Sequence, residues 1–155
     1  MIRTHRLAVG LAAALASLLA SPLALADDPA GMVKVSKGQV SIERAGARLP
    51  AAVGTPVLVS DRLRTGRDGS VGVTLRDNTL LSAGPNSLIV IDKFVFDKTT
   101  QEGAMSVHIR RGTLAVASGR IAKKTPESVD FHTPTSVLGV RGTEFVVEVE
   151  GDGDE

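Results

Sequence analysis

Short runs in which apolar and polar residues alternate constrain this sequence more than any other feature. Val71, Val73 and Leu75 fall on one face of an extended chain, while the residues between them fall on the other. The same two-residue period recurs at 105–109 and 145–149. The 16 glycines and 7 prolines are spread so evenly that few stretches could hold a helix of ordinary length. We therefore predict an all-β fold.

Clusters of turn-forming residues divide the chain into segments of strand length. Such clusters lie at 65–70, 76–78, 83–86 and 98–103. About ten short strands at near-regular spacing favour a β-sandwich, a jelly roll or a short β-solenoid. The basic segment 118–128 is predicted to be a mobile loop.

The sequence Arg-Gly-Thr occurs twice, at 111–113 and at 141–143. Each copy precedes a strand-like run, and glycine suits an unusual backbone angle. We predict that one kind of turn is used twice.

The first 26 residues have the three-part layout of a secretion signal. A start containing Arg3 and Arg6 is followed by an apolar run at 7–20, and then by Ala24 and Ala26 as small residues of a cleavage site. A membrane anchor is the less favoured alternative, because spanning takes roughly 20 apolar residues. We expect a periplasmic or secreted product that does not insert into the membrane once the signal has been cleaved.

Signal removal would leave a folded domain at 27–150 and an acidic, flexible tail at 151–155. The whole chain has 18 Lys and Arg against 17 Asp and Glu, a net charge of +1. Loss of Arg3 and Arg6 would leave 16 against 17, a net charge of −1. Such a balance gives no general attraction to nucleic acid, so we expect none as a partner.

Several kinds of chemistry have no residues to support them. The sequence contains no cysteine, which excludes disulfides, thiolate metal sites and cysteine nucleophiles. Beyond the signal only His108 and His132 remain. We expect His108 on the solvent face of a strand and His132 in a loop, with no close pair of metal ligands. The sequence also lacks a nucleophile elbow, a phosphate-binding loop and a dinucleotide fingerprint. We predict no enzyme, no cofactor and no metal, with a histidine-based hydrolase as the least favoured alternative.

Aromatic content narrows the possible ligands. The sequence has no Trp or Tyr, and its four Phe lie in apolar strand-like runs, where we expect them in the core. Sugar and single-stranded nucleic-acid sites usually stack rings on aromatic side chains. Protein interfaces favour Trp, Tyr and Arg as anchors, so arginine is the anchor that remains.

Several segments in chain order carry a resemblance to a known family. Residues 54–66 read Gly-Thr-Pro-Val-Leu-Val-Ser-Asp-Arg-Leu-Arg-Thr-Gly, and residues 77–79 read Asp-Asn-Thr. The most specific run, 132–145, reads His-Thr-Pro-Thr-Ser-Val-Leu-Gly-Val-Arg-Gly-Thr-Glu-Phe. Together they resemble the FecR domain, the periplasmic module of iron-dicitrate-type regulators, over 33–149. The resemblance implies a jelly-roll-like β-sandwich.

The resemblance also singles out nine signature residues. We expect most of them to shape turns and strand starts, with Arg141 pairing a carboxylate or capping carbonyls. The alternative is that Arg141, Thr133 and Thr143 line a recognition face. Ser60 and Asn78 stand where the family pattern has glycine. The signature residues are Asp61, Thr65, Gly66, Thr133, Pro134, Val140, Arg141, Gly142 and Thr143.

The favoured function is a non-catalytic periplasmic binding or scaffolding domain that recognises another envelope protein in signalling or regulation. An exposed strand edge could accept a strand of that partner. The alternative is a cell-wall or exopolysaccharide binding module. Complete regulators of the family carry a cytoplasmic sigma-factor-binding segment and a membrane helix. Because we expect a cleavable signal here, we expect no transmembrane anti-sigma role.

Overall fold

A computed structural model of the chain describes residues 28–151. The predicted signal peptide at 1–26 lies outside the described residues, and so do residues 152–155 of the predicted tail. Within the described part, no helix is long and apolar enough to cross a membrane.

The all-β prediction is confirmed. Strands account for most of the described residues, and the helical content is one short α-helix, α1 (Arg120–Lys124), followed by a 3₁₀ turn, Pro126–Ser128. The strands are β1 (Gly31–Lys37), β2 (Val40–Arg44), β3 (Ala47–Pro50), β4 (Pro56–Val57), β5 (Arg62–Thr65), β6 (Ser70–Leu75), β7 (Leu80–Ala83), β8 (Leu88–Phe96), β9 (Gly103–Ala117), β10 (Val129–His132), β11 (Val137–Gly139) and β12 (Glu144–Val149).

Strand β9 organises the sheet. Its first half pairs antiparallel with β8 and parallel with β10, and its second half pairs antiparallel with β7 and β12. The main path runs β3-β2-β5-β8-β9-β7-β6-β1-β4. Because β9 belongs to both halves, the strands form one curled sheet with the shape of a half-barrel. The jelly-roll sandwich implied by the resemblance is not confirmed.

A break in the alternation of β9 allows both halves to face one core. Met105, Val107 and Ile109 are buried at odd positions, whereas Leu114 and Val116 are buried at even positions. The switch coincides with Gly112, whose φ is +88° and where an added Cβ would lie 2.2 Å from the Ser87 hydroxyl oxygen. Only glycine fits both requirements.

The core has the composition that the sequence predicted. Val71, Val73 and Leu75 are buried, as are three of the four phenylalanines. The fourth, Phe145, is half-buried and packs edge-on against Phe131 with ring centroids 5.0 Å apart. Apolar side chains from both halves of the sheet therefore make one cluster.

The segment 118–128 differs from the mobile loop that was predicted. It forms α1 and the 3₁₀ turn, and Ile121 is fully buried. The Arg120 amide donates to the Asp77 carbonyl at 2.8 Å, and the Ile121 amide donates to Asp77 Oδ2 at 3.2 Å. The acceptors come from the turn after β6, so the basic composition of the segment gave no sign of this anchoring.

The two Arg-Gly-Thr copies do not share one turn. Gly112 lies inside β9 with a positive φ, whereas Gly142 lies in the β11–β12 loop without one. Ser60 and Asn78, which replace glycines of the family pattern, both adopt left-handed conformations, with φ of +73° and +69°.

Candidate functional site

Three of the signature residues are part of the internal framework. Asp61 is 1% exposed and accepts hydrogen bonds from Arg44 Nε at 2.8 Å and Nη2 at 2.6 Å. The Leu58 amide also donates to Asp61, at 2.8 Å. The hydrogen bond to Asp61 raises the pKa of the Arg44 guanidinium above its ordinary value. Asp61 therefore fixes the turn before β5 and is not open to a ligand.

Thr65 and Gly66 hold the next turn. The buried Thr65 hydroxyl donates to the Gly84 carbonyl at 2.7 Å and accepts from the Ser87 amide at 2.8 Å. The Gly66 amide donates to the Gln39 carbonyl at 2.8 Å. The Thr65 bonds join the end of β5 to the turn before β8, and the Gly66 bond joins it to the turn between β1 and β2.

Thr133 and Pro134 lie in the turn between β10 and β11. The Ser136 amide donates to Thr133 Oγ1 at 3.0 Å, and the Thr133 amide donates to the Ser136 carbonyl at 2.8 Å. The exposed turn forms one lip of the cleft described below.

The remaining signature residues lie in the β11–β12 loop. Val140 packs partly against the core, while Arg141, Gly142 and Thr143 are exposed. The Arg141 side chain makes no hydrogen bond or ion pair with residues 28–151, so that region does not provide its predicted partner. Arg141 lines a small pocket with Lys123, away from the pocket that Thr133 lines.

A cleft with four arginines lies on the outer face of β5, β8 and β9. We call it the arginine cleft. Its volume is about 670 Å³, within the range of roughly 300–1,000 Å³ that ligand sites usually have. The lining consists of the four arginines, an apolar floor and two walls from the β10–β11 turn and the end of β12: Arg62, Arg64, Arg110, Arg111, Leu88, Val90, 133–135 and 148–151.

Strand alternation and register bring these side chains together. Leu63 is buried, so Arg62 and Arg64 on either side of it point outward. Arg62 pairs with Val90 and Arg64 with Leu88, which puts each arginine beside the floor. On β9, a shift in the register with β8 between Ile109 and Arg111 brings the consecutive residues Arg110 and Arg111 to the cleft. Sequence reasoning named arginine as the available anchor but overlooked the Arg-Leu-Arg spacing.

Charge in the cleft is unevenly distributed. Arg64 Nε lies 2.9 Å from Glu43 Oε1, and Arg48 reaches the same oxygen at 3.1 Å. Burial would raise the pKa of Glu43, but the hydrogen bonds and charges of Arg48 and Arg64 outweigh it and lower that pKa. Glu148 and Glu150 are the carboxylates among the lining residues, against four arginines.

A second groove continues this basic surface. It shares Arg64 and Arg111 with the arginine cleft and adds Arg48, Arg67 and the exposed Asn86, with Asp68 as the one carboxylate among its lining residues. A ligand with several carboxylates would therefore meet guanidinium groups over a surface wider than one cavity.

The two histidines are closer together than predicted. His132 ends β10 and does not lie in a loop, and it pairs in register with His108, their ring centroids 5.9 Å apart. Burial lowers the pKa of His108, aided by Arg110 and His132 and opposed by Asp92. His108 Nδ1 lies 3.8 Å from Asp92 Oδ2, too far for a hydrogen bond. Within 28–151, no group of three or more His, Asp or Glu residues could hold a metal ion.

Comparison with known proteins identifies the family. The chain matches the family described as FecR protein over residues 61–155, which include the arginine cleft and every signature residue. No curated protein and no solved structure matches the chain. FecR proteins are a regulatory and signalling family whose domains are typically periplasmic. The matched residues are more than half of the sequence and confirm the resemblance, so this chain belongs to the FecR protein family.

Proposed function

We propose that this chain is exported, loses residues 1–26, and acts as a non-catalytic periplasmic domain that binds another envelope protein. Its membership of a regulatory family supports a role in signalling or regulation. The observation that carries the proposal is the arginine cleft, since a concave surface with convergent polar groups is the usual form of a binding site.

The composition of the cleft suits a protein partner. Each guanidinium presents five N–H donors and also packs through its flat face and stem. Leu88 and Val90 supply apolar area beneath these groups. Interface anchors typically combine such a desolvated centre with arginine or large aromatic side chains.

An open strand edge adjoins the cleft. Among residues 28–151, β12 pairs only with β9, so its other edge is free to accept a strand. Val146 on this strand is 66% exposed, and Glu148 and Val149 belong to the cleft wall. A partner segment bound along β12 would therefore reach the arginines.

A cell-wall or exopolysaccharide ligand is the second candidate. Asn86, exposed beside Arg67 in the second groove, favours it because amides and guanidinium groups hydrogen-bond to sugar hydroxyls. Phe94, Phe96 and Phe131 are buried, and the sequence has no Trp or Tyr. The described part therefore offers little aromatic surface for stacking a sugar ring, and a protein partner is favoured.

Capture from a periplasmic extract tests the proposal. Tagged protein comprising residues 27–155 should recover one dominant envelope protein, and the double variant Arg62→Glu, Arg110→Glu should lose it. The matched control Lys34→Glu, Lys98→Glu makes the same charge change at exposed positions outside the cleft and should retain the partner. Repeated recovery of no protein, or equal recovery by both variants, would contradict the proposal.

Sedimentation with purified peptidoglycan separates the two candidates. We expect the protein to stay in the supernatant. Cosedimentation that the cleft variant abolishes would favour the cell-wall ligand.

A further inference from the structure

An acidic segment of the sequence follows a residue of the arginine cleft wall. Gly151 is one of the residues that line it. A Cβ added at Gly151 would lie 3.3 Å from Arg111 Cβ and 3.4 Å from Arg111 Cδ, so the backbone here runs along the arginine stem. The sequence continues as Asp152-Gly153-Asp154-Glu155, with three carboxylates in four residues.

The length of this segment suits the cleft. Four extended residues span at most about 14 Å. Because Gly151 lies in the cleft wall, a segment of this reach that follows it is long enough to meet arginines that line the same cavity.

The charges are complementary. Neither Arg62 nor Arg110 makes a salt bridge to residues 28–151, whereas Arg64 is held by Glu43. Among the lining residues, guanidinium groups outnumber carboxylates four to two, although Arg64 is already paired with Glu43. The carboxylates of Asp152, Asp154 and Glu155 carry the charge opposite to that of the remaining arginines. Carboxylate and guanidinium groups are also matched in shape, because they form paired hydrogen bonds.

We propose that the arginine cleft is a carboxylate-binding site and that residues 152–155 of this chain are its resident ligand. A tethered segment has an effective concentration in the mM range, so it competes with acidic segments of other proteins without high affinity of its own. The inference rests on the proposed function in one respect: an envelope partner that uses this surface would have to displace the tail.

Arginine side-chain NMR tests the inference. The variant Asp152→Asn, Asp154→Asn, Glu155→Gln keeps the length of the tail and removes its charge. We expect Nε–Hε signals of the cleft arginines to shift between the unmodified protein and this variant. The difference should fade at 0.5 M salt, where screening shortens electrostatic range. The control Asp28→Asn, Glu102→Gln, Glu127→Gln removes three exposed carboxylates outside the cleft and should leave those signals unchanged.

A synthetic peptide, Gly-Asp-Gly-Asp-Glu, measures the competition directly. It should bind the amide-tail variant at least threefold more tightly than the unmodified protein and shift the same arginine signals. The peptide Gly-Asn-Gly-Asn-Gln should produce no shift. Equal affinity of the acidic peptide for both proteins, or signals of the cleft arginines that do not change on the tail substitutions, would overturn the inference.

The results are distinguishable from those of the proposed function. Tail-dependent arginine signals without a captured partner would support the resident ligand and contradict the partner. A captured partner whose recovery is unaffected by the tail substitutions, together with unchanged arginine signals, would support the partner and contradict the resident ligand.

Discussion

Replacing Asp77 with alanine should destabilise the domain strongly, because its carboxyl group is fully buried and organises two segments. Its oxygens accept from the Thr79 amide at 3.0 Å, the Thr79 hydroxyl at 2.8 Å and the Ile121 amide at 3.2 Å. The Thr79 hydroxyl in turn accepts from the Gly119 amide at 3.1 Å. The substitution therefore loosens both the turn after β6 and the start of α1.

The magnitude follows from the amides left without an acceptor. Each buried unsatisfied donor costs about 1–3 kcal/mol. Loss of the acceptor for the Thr79 and Ile121 amides should therefore lower the free energy of unfolding by about 2–6 kcal/mol. We expect about 3 kcal/mol, because water that enters the space left by the carboxyl group can accept from some of these amides. With an m-value of roughly 1–3 kcal/mol/M, the urea midpoint falls by about 1–3 M. Hydrogen exchange should also rise across 118–128 before the rest of the core opens.

Asp97 supplies a matched control. It also begins an Asp-x-Thr turn and accepts from the amides of Thr99 at 2.7 Å and Thr100 at 3.1 Å, but it is exposed. Water can replace its carboxyl group, so Asp97→Ala should cost less than about 1 kcal/mol. Equal destabilisation by the two substitutions, or an unchanged exchange rate at 118–128 in Asp77→Ala, would refute the reasoning.

Three further predictions concern other parts of the fold and are tested by urea unfolding. Gly112→Ala should lower the free energy of unfolding by about 2–4 kcal/mol, because alanine would be strained in the left-handed region and would overpack the site. The control Gly46→Ala, where φ is +79° and no atom lies within 4 Å of an added Cβ, should lower it by only about 1 kcal/mol. Equal losses would contradict the close approach at Gly112. Asp61→Ala should lower the free energy of unfolding by about 2–3 kcal/mol, since it removes the acceptor of the Arg44 side chain and of the Leu58 amide. An unchanged free energy of unfolding would contradict a stabilising role for the Arg44–Asp61 pair. The pKa of His108 is lowered in the folded state from an ordinary value of 6.5, so the unfolded chain binds the proton more readily and stability should fall as pH drops below about 6.5. His108→Gln should therefore reduce the dependence of the free energy of unfolding on pH between pH 7.5 and 5. An unchanged dependence would mean that other groups cause the loss of stability at low pH.

Local pattern in the sequence was sufficient for the fold class and for much of the core. The alternation at 71–75 and 105–109 predicted buried faces that the structure confirms. Both turn substitutions, Ser60 and Asn78, stand where the backbone is left-handed. These features depend on residues close in sequence, which is why the sequence reveals them.

Long-range pairing accounts for what the sequence did not reveal. The parallel register of β10 on β9 brings His132 beside His108, and no local period predicts a pairing of that kind. The arginine cleft likewise needs β5, β8 and β9 to be adjacent and β9 to be irregular near Gly112. The anchoring of α1 by Asp77 joins residues more than forty positions apart in sequence.

Photocrosslinking in intact cells tests the central claim most directly. A photoreactive amino acid at Thr135, on the lip of the arginine cleft, should form an adduct with one envelope protein. The same amino acid at Glu127, which is exposed outside the cleft, should form none. Absence of any adduct from Thr135, or the same adducts from both positions, would contradict a binding domain that works through this cleft.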